Sequence, residues 1–244
     1  MRIAVVSDIH ANLVALEAVL KHAGDVDGVW CMGDSVGYGP QPGECVARLR
    51  DAGALWVAGN HERAATGAIG VEEFNSSAAA AALWTRGQLS HDDKTHLDAL
   101  PETVVEGDFT LVHGTLRWPI WEYLVDEESA LGHLALQQTP FGFVGHTHVP
   151  AIVTEMSDSP QGCDMRRLRD GETVTLDSQA RLVLNPGGVG QPRDGDKRAS
   201  YAVLDTSAGT FTLHRVEYEI AITQGLMEDA GLPARLIERL AIGR

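Results

Sequence analysis

Five short segments concentrate side chains that can grip a metal ion: Asp8-Ile9-His10, Gly33-Asp34, Gly59-Asn60-His61-Glu62, Val112-His113-Gly114 and Gly145-His146-Thr147-His148. They hold five of the ten histidines, and His22, His91, His96, His133 and His214 read as surface or packing residues. Asp8, His10, Asp34, Asn60, His113, His146 and His148 are oxygen and nitrogen donors, more than one four-coordinate zinc can use. They suit two ions sharing a bridging carboxylate, which clamp the attacking and leaving oxygens of a displacement at phosphorus. Imidazole and carboxylate without thiolate points to Mn, Fe, Zn, Ni or Co rather than Mg or Ca alone, with Mn the first choice. The D-x-H and H-x-H pairs share a spacing of two, so extended backbone would project both partners to one side. Any one segment reads equally well as a turn or a capped strand end; the joint recurrence of all five carries the argument.

Each segment falls where a strand is predicted to end, and in open α/β sheets ligands gather at strand carboxyl ends. Ile3-Ala4-Val5-Val6 reads as a strand buried on both faces. Asn12 caps a helix striped by Leu13, Leu16, Val19 and Leu20, which Gly24 ends. An apolar run (28–32), a Gly/Pro-rich loop (33–43), a helix through Val46 and Leu49 and a strand at 54–58 complete a β-α-β-α-β start. Helices are predicted across 63–100, with a capping box at Ser90-His91-Asp92-Asp93 and a stop at Pro101. Strands return at 103–106, 109–113, 141–145 and 151–155, then as paired runs near 173–184 and 201–216. The polar stretch 157–171 reads as an exposed loop. Leu232, Leu236, Ile237 and Leu240 have helical spacing suited to core packing or a dimer contact, so a homo-oligomer is kept open.

The 244 residues carry 34 Asp and Glu against 19 Lys and Arg, a formal charge of −15, which disfavours a long nucleic-acid backbone. Only Asp8 and Asp34 among these acids sit in the proposed centre, so two divalent ions would reverse the sign there and leave a small phosphate ester as partner. With 44% hydrophobic and 22% charged residues the chain is globular in composition and is expected to form a single domain, 1–244. Three cysteines without a C-x-x-C pair fit a reducing, cytoplasmic setting. No apolar run approaches the roughly 18 residues of a membrane span.

In order and spacing the five segments resemble the calcineurin-like metallophosphoesterases, most closely the small bacterial and archaeal phosphodiesterase-type branch, from Met1 to about Tyr201. The resemblance implies a four-layer α/β/β/α sandwich with a two-metal site at the strand carboxyl ends. Asp8, His10, Asp34 and His148 would then hold one ion and Asp34, Asn60, His113 and His146 the other, with Asp34 bridging. It further implies attack on phosphorus by a hydroxide shared between the metals, with His61 as an imidazolium general acid that Glu62 or Asp8 orients. The substrate class is phosphodiesters or small phosphate esters. Phosphomonoester, protein-phosphate or dinucleoside-polyphosphate hydrolysis is the alternative, and a non-catalytic scaffold of the same fold a further one. Protein-phosphatase and diadenosine-tetraphosphatase relatives carry an Arg before G-N-H-E, where this chain has Ala58. Arg63, Arg117, Arg193 and Arg198 remain as basic candidates. Arg117 follows the ligand His113, and the aromatics of 114–123 around it stack a base or, the reading favoured, pack. Tyr38 and Arg193 lie in loops, 33–42 and 185–193, that resemble those bordering the family's site.

Overall fold

The run Ile3-Ala4-Val5-Val6 is buried along its length because it lies mid-sheet with packing on both faces. A computed structural model of the protein describes residues 1–156 and 160–244. The chain opens with β1 (Arg2–Val6), α1 (Leu13–Ala23), β2 (Gly28–Cys31), α2 (Pro42–Asp51) and β3 (Leu55–Trp56). Three helices follow, α3 (Asn60–Thr66), α4 (Ser76–Gln88) and α5 (His91–Asp98). Next come β4 (Thr103–Glu106), β5 (Phe109–Val112), α6 (Glu127–Leu134), β6 (Phe141–Phe143) and β7 (Ala151–Glu155). The remaining strands are β8 (Cys163–Arg167), β9 (Thr173–Thr175), β10 (Leu182–Asn185), β11 (Ala199–Asp205) and β12 (Thr210–Val216), and α7 (Ile220–Asp229) and α8 (Ala234–Glu238) close the chain.

The first sheet has the order β3-β2-β1-β11-β12-β9, parallel from β3 to β1 and antiparallel beyond. The second runs β4-β5-β6-β10-β7-β8, with β5, β6 and β10 parallel and both flanks antiparallel. Alternation along β1 sorts its side chains: Ile3 and Val5 join Trp30, Phe143, Leu184 and Phe211 in one cluster, whereas Ala4 and Val6 join Leu16, Val19, Leu49 and Leu97 in another, beneath helices. The outer face of the second sheet packs Val112, Val144 and Val183 against Ala130 and Leu134 of α6. Each fully buried aliphatic contributes about 1.5–3 kcal/mol. The result is the expected four-layer α/β/β/α sandwich. Asn12 caps α1 as predicted, accepting from Ala15 N at 3.1 Å.

Two local expectations are corrected. The run 173–184 is no hairpin: β9 pairs with β12 at the edge of the first sheet, while β10 enters the second between β6 and β7. All four residues of β10 are buried, which demands a central position. Of the predicted loop 157–171, residues 157–159 lie outside the described residues, and Cys163–Arg167 is a strand on β7. Its Asp164, Arg166 and Arg167 are exposed, as suits an edge strand, and hide the alternation. Leu232, Leu236, Ile237 and Leu240 pack within the chain against Tyr38, Ala78, Ala81 and Met227. Among the described residues no helix is long and apolar enough to cross a membrane.

Candidate active site

All seven proposed ligands leave from strand carboxyl ends: Asp8 and His10 after β1, Asp34 after β2, Asn60 after β3 at the start of α3, His113 after β5, His146 and His148 after β6. The loops do not prolong the strands. Asp8 (φ 53°), His10 (48°), Asp34 (54°), His146 (63°) and His148 (59°) are left-handed, as are their neighbours Ala11 and Tyr38. The spacing of two therefore works through curled backbone rather than through the extended alternation expected, and Ile9, between two inward ligands, goes to the core. Such residues cost on the order of 1–3 kcal/mol each and persist where the surroundings over-determine them. Here backbone bonds lace the loops together, with Asp8 N donating to Gly33 O (3.1 Å), His10 N to Asp34 O (2.9 Å) and Gly145 N to His113 O (2.8 Å).

Four histidines are locked by the same device. One ring nitrogen of each donates to a backbone carbonyl: His10 Nδ1 to Val36 O (3.1 Å), His113 Nδ1 to Met32 O (2.7 Å), His146 Nε2 to Trp121 O (3.2 Å) and His148 Nδ1 to Gln191 O (2.5 Å). A carbonyl only accepts, so the tautomer is set and the opposite nitrogen is aimed inward, the usual support of a metal-bound imidazole. These inward nitrogens meet in pairs, His10 Nε2 with His148 Nε2 at 3.1 Å and His113 Nε2 with His146 Nδ1 at 3.0 Å. Burial keeps His10 and His148 well below the ordinary histidine range, so two lone pairs face each other with no proton between them. A cation relieves that contact.

Asp34 stands between the pairs. Its Oδ2 is 3.3 Å from His113 Nε2 and 3.8 Å from His10 Nε2, while Oδ1 accepts from His61 N at 3.0 Å. Burial pushes its carboxyl up, but His113 and His61 outweigh this and hold it well below the usual range. The partner His113, pulled down by burial, is pushed up to about 9 by Asp34. Asp8 Oδ1 is 3.3 Å from His148 Nε2, and burial, with Asp34 adding to it, pushes Asp8 up to about 7. Both oxygens of Asp8 and Oδ1 of Asn60 are buried without a hydrogen-bond partner among the described residues. Candidate ligand atoms of Asp8, His10 and His148, and of Asp34, His113 and His146, each fall within 4.8 Å of one another. Orphaned acceptors beside facing lone pairs fit divalent metal.

His61 differs from the other four histidines. A candidate ligand atom of its ring also lies within 4.8 Å of those of His10 and Asp34, yet its Nδ1 is buried with no hydrogen-bond partner among the described residues. Rings hold it instead: Tyr38 at 4.4 Å, His10 at 4.8 Å and Phe74 at 5.1 Å between centroids. Neither Glu62 nor Asp8 orients it: the Glu62 carboxylate is spent on Asp34 N, Ser35 and Gly59 N, and neither Asp8 oxygen has a hydrogen-bond partner among the described residues. The imidazolium expected near neutral pH is not favoured by the chain alone, since burial pulls His61 down to about 4.

A cavity of about 520 Å³ opens over the centre, floored by Asp34, Asn60, His61, His146 and His148 and bordered by Tyr38 and Arg193. The Arg193 guanidinium sits 5.9 Å above the Tyr38 ring and donates to Gln191 Oε1 at 3.1 Å, while its buried Nε has no partner among the described residues. Arg117 does not reach the cavity, contrary to expectation, because Glu122 takes its guanidinium (Nε to Oε1, 3.0 Å). Arg63 bonds the Asp98 and Leu100 carbonyls and Arg198 pairs with Asp196 and Asp170. Of the remaining wall, Glu73, Phe74, Asn75, Ala78, Trp121 and Tyr123, only the last two carry a signal in the sequence, their place after His113. Tyr123 stacks on His146 at 3.9 Å, and Trp118 is exposed.

Two face-to-face sheets with carboxylates and imidazoles pooled at one strand edge define a metal-dependent α/β sandwich hydrolase. The family model for the calcineurin-like phosphoesterase superfamily domain matches residues 1–209, and the chain belongs to that superfamily, whose members hydrolyse phosphate esters with metal. A metallophosphoesterase from Sphaerobacter thermophilus superposes with a TM-score of 0.91 at 48% identity, over 100% of this chain and 99% of that one. An uncharacterized protein of Methanocaldococcus jannaschii is 38% identical over 254 residues, covering 99% of this chain and 98% of its own. A hypothetical protein of Pyrococcus horikoshii shares the fold, with a TM-score of 0.77 at 18% identity over 100% and 98% of the two chains.

Proposed function

We propose that the chain, as one domain over 1–244, is a dinuclear-metal phosphodiesterase. Asp8, His10, Asp34 and His148 hold one divalent transition metal, and Asp34, Asn60, His113 and His146 the other. The observation that carries this reading is Asp34 Oδ2 standing between the inward nitrogens of two histidine pairs. When bound, such a metal pair supplies Lewis acidity and a nucleophile at neutral pH. Mn is the first choice among Mn, Fe, Zn, Ni and Co, all of which suit these ligands.

The chain's own residues do the rest. Arg193 brings its free Nε–H to a non-bridging phosphate oxygen, a charge-assisted bond. His61, over the cavity floor, delivers a proton to the departing oxygen. The substrate's negative charge favours the protonated ring and offsets the burial that otherwise pulls His61 down. Among the described lining residues Arg193 is the one Lys or Arg, set against Asp34 and Glu73. With one protein cation beside the metal pair to meet the phosphate, and Glu73 on the wall opposing a second negative charge, a singly charged diester suits the cavity better than a doubly charged monoester.

Turnover of bis-aryl against mono-aryl phosphate with added Mn, Ni, Zn or Mg tests the diester assignment, and a higher kcat/KM on the monoester would reverse it. Asp34→Asn should lose metal, by elemental analysis, and turnover together. Full turnover in that variant would end the bridging role.

A further inference from the structure

Beside the candidate acid the cavity wall carries two aromatic rings, Phe74, one side of which packs on the cluster of Ala78, Ala81 and Met227, and Trp121, whose ring–ring contacts are edge-on. Phe74 meets His61 at 87° with centroids 5.1 Å apart and meets Trp121 at 69° and 5.6 Å. Among the described residues no ring stacks face to face on either. Both are partly exposed, Trp121 to 36%, at the edge of a polar cavity where apolar area left in water is costly. Trp121 is also a rigid platform, because its carbonyl accepts from His146 Nε2 and its N–H donates to Trp118 O at 3.1 Å. Glu73 and Asn75 flank Phe74 on the same wall. Asn75 uses its side-chain oxygen on Ala78 N, which leaves its amide N–H groups for a ligand, while Glu73 supplies an acceptor.

We infer that Phe74 and Trp121 form an aromatic corner that binds the planar base of a nucleoside on the leaving-group side of the diester, with Glu73 and Asn75 reading the base edge. Placement beside His61 decides the side: the oxygen that His61 protonates belongs to the alcohol next to Phe74. In the reaction the P–O bond to the nucleoside breaks, water supplies the new oxygen on phosphorus, and the departing nucleoside oxygen takes the proton. The cavity, about 520 Å³, lies within the roughly 300–1,000 Å³ of small-molecule sites, enough for one nucleoside and its phosphate. This substrate class rests on the phosphodiesterase reading above, while the aromatic corner is testable without turnover.

The kinetic arm compares kcat/KM for a dinucleoside monophosphate with that for bis(glyceryl) phosphate, which offers the same charge and no ring. Trp121→Ala and Phe74→Ala should each lower that ratio roughly 5- to 150-fold, the range of base–aromatic stacking. A fall in both substrates with the ratio held would make the rings merely structural and overturn the inference. The binding arm titrates the metal-free chain with adenosine and follows tryptophan fluorescence. Quenching lost in Trp121→Phe, and affinity lost in Trp121→Ala, are the expected results; no saturable change in the wild type overturns the inference. If no phosphate ester turns over with any metal while adenosine still quenches Trp121, the hydrolase reading fails and the base site stands.

Discussion

Glu62 reaches back from the first turn of α3 to the loop that carries Asp34, and its Oε2 accepts from the Asp34 backbone N–H at 2.8 Å. The same oxygen takes Gly59 N at 2.8 Å, while Oε1 takes Ser35 N at 2.6 Å and Ser35 Oγ at 2.7 Å. One buried carboxylate thus caps a helix and fixes the backbone of the proposed bridging ligand. Burial and the nearby Asp34 raise its pKa, against which the Ser35 and Gly59 donors pull down.

Glu62→Gln keeps the size but presents an NH₂ group to donors that need an acceptor. An unsatisfied buried donor costs about 1–3 kcal/mol, so the metal-free variant should melt roughly 2–12 °C lower at about 2–4 °C per kcal/mol. Metal affinity should fall by about 10–100-fold, as when an outer partner of a ligand is lost. Calorimetry and metal titration check the two effects, and an unchanged melting temperature would show that the network bears no weight.

Gly37 has φ +84°, and a Cβ there would overlap His61 Nδ1. Gly37→Ala should displace the imidazole and slow turnover with metal content intact, as should His61→Ala, by the roughly 10²–10⁴-fold of general acid catalysis. Because both changes act through one ring, the double variant should be no slower than His61→Ala alone. Metal loss in His61→Ala would instead make this ring a ligand, a role its distance to His10 and Asp34 permits.

What the sequence reveals here is decided by locality. Asp8, Asp34, Asn60, His113 and His146 are legible because each follows a strand that its own apolar run announces. The left-handed turns that aim them are not, since they depend on cross-loop bonds such as His10 N to Asp34 O. Strand β8 is hidden because an edge strand bearing Asp164, Arg166 and Arg167 has a loop's composition. Arg117 and Arg193 look alike in sequence, and only the contact with Glu122 removes the first. Phe74 has no local signature: the helix that Asn75 caps sets it against His61.

Arg193→Met retains length and loses the guanidinium. Nε has no partner among the described residues and the guanidinium donates one bond, to Gln191 Oε1 at 3.1 Å, so stability should fall by no more than about 1 kcal/mol, whereas KM for a bis-aryl phosphate should rise by about 10–100-fold, the worth of one charged hydrogen bond. Arg193→Lys should recover only part of this, because a point charge cannot present the fork. An unaltered KM in Arg193→Met would remove Arg193 from the phosphate site.

His133 makes stability sensitive to acid away from the metal centre. Gln137 donates its amide N–H groups to Thr139 O (2.9 Å) and Leu182 O (3.3 Å), so its Oε1 must accept from His133 Nε2 at 3.1 Å. His133 Nδ1 is then the acceptor for Leu116 N at 3.2 Å, and a second ring proton would point at another donor. Burial pulls this histidine down to about 4 from an ordinary 6.5. Between those values the unfolded chain binds a proton that the folded chain refuses, so stability rises with pH across the window. The contribution is complete above 6.5 and lost as pH falls to 4, and it amounts to at most about 3 kcal/mol. His133→Phe removes the titration but strands Leu116 N and Gln137 Oε1, so it should melt below the wild type at pH 7.5. Toward pH 4.5 that gap should narrow by about 5–10 °C. Melting curves of the two proteins that stay parallel from pH 7.5 to 4.5 would assign the acid sensitivity to other groups.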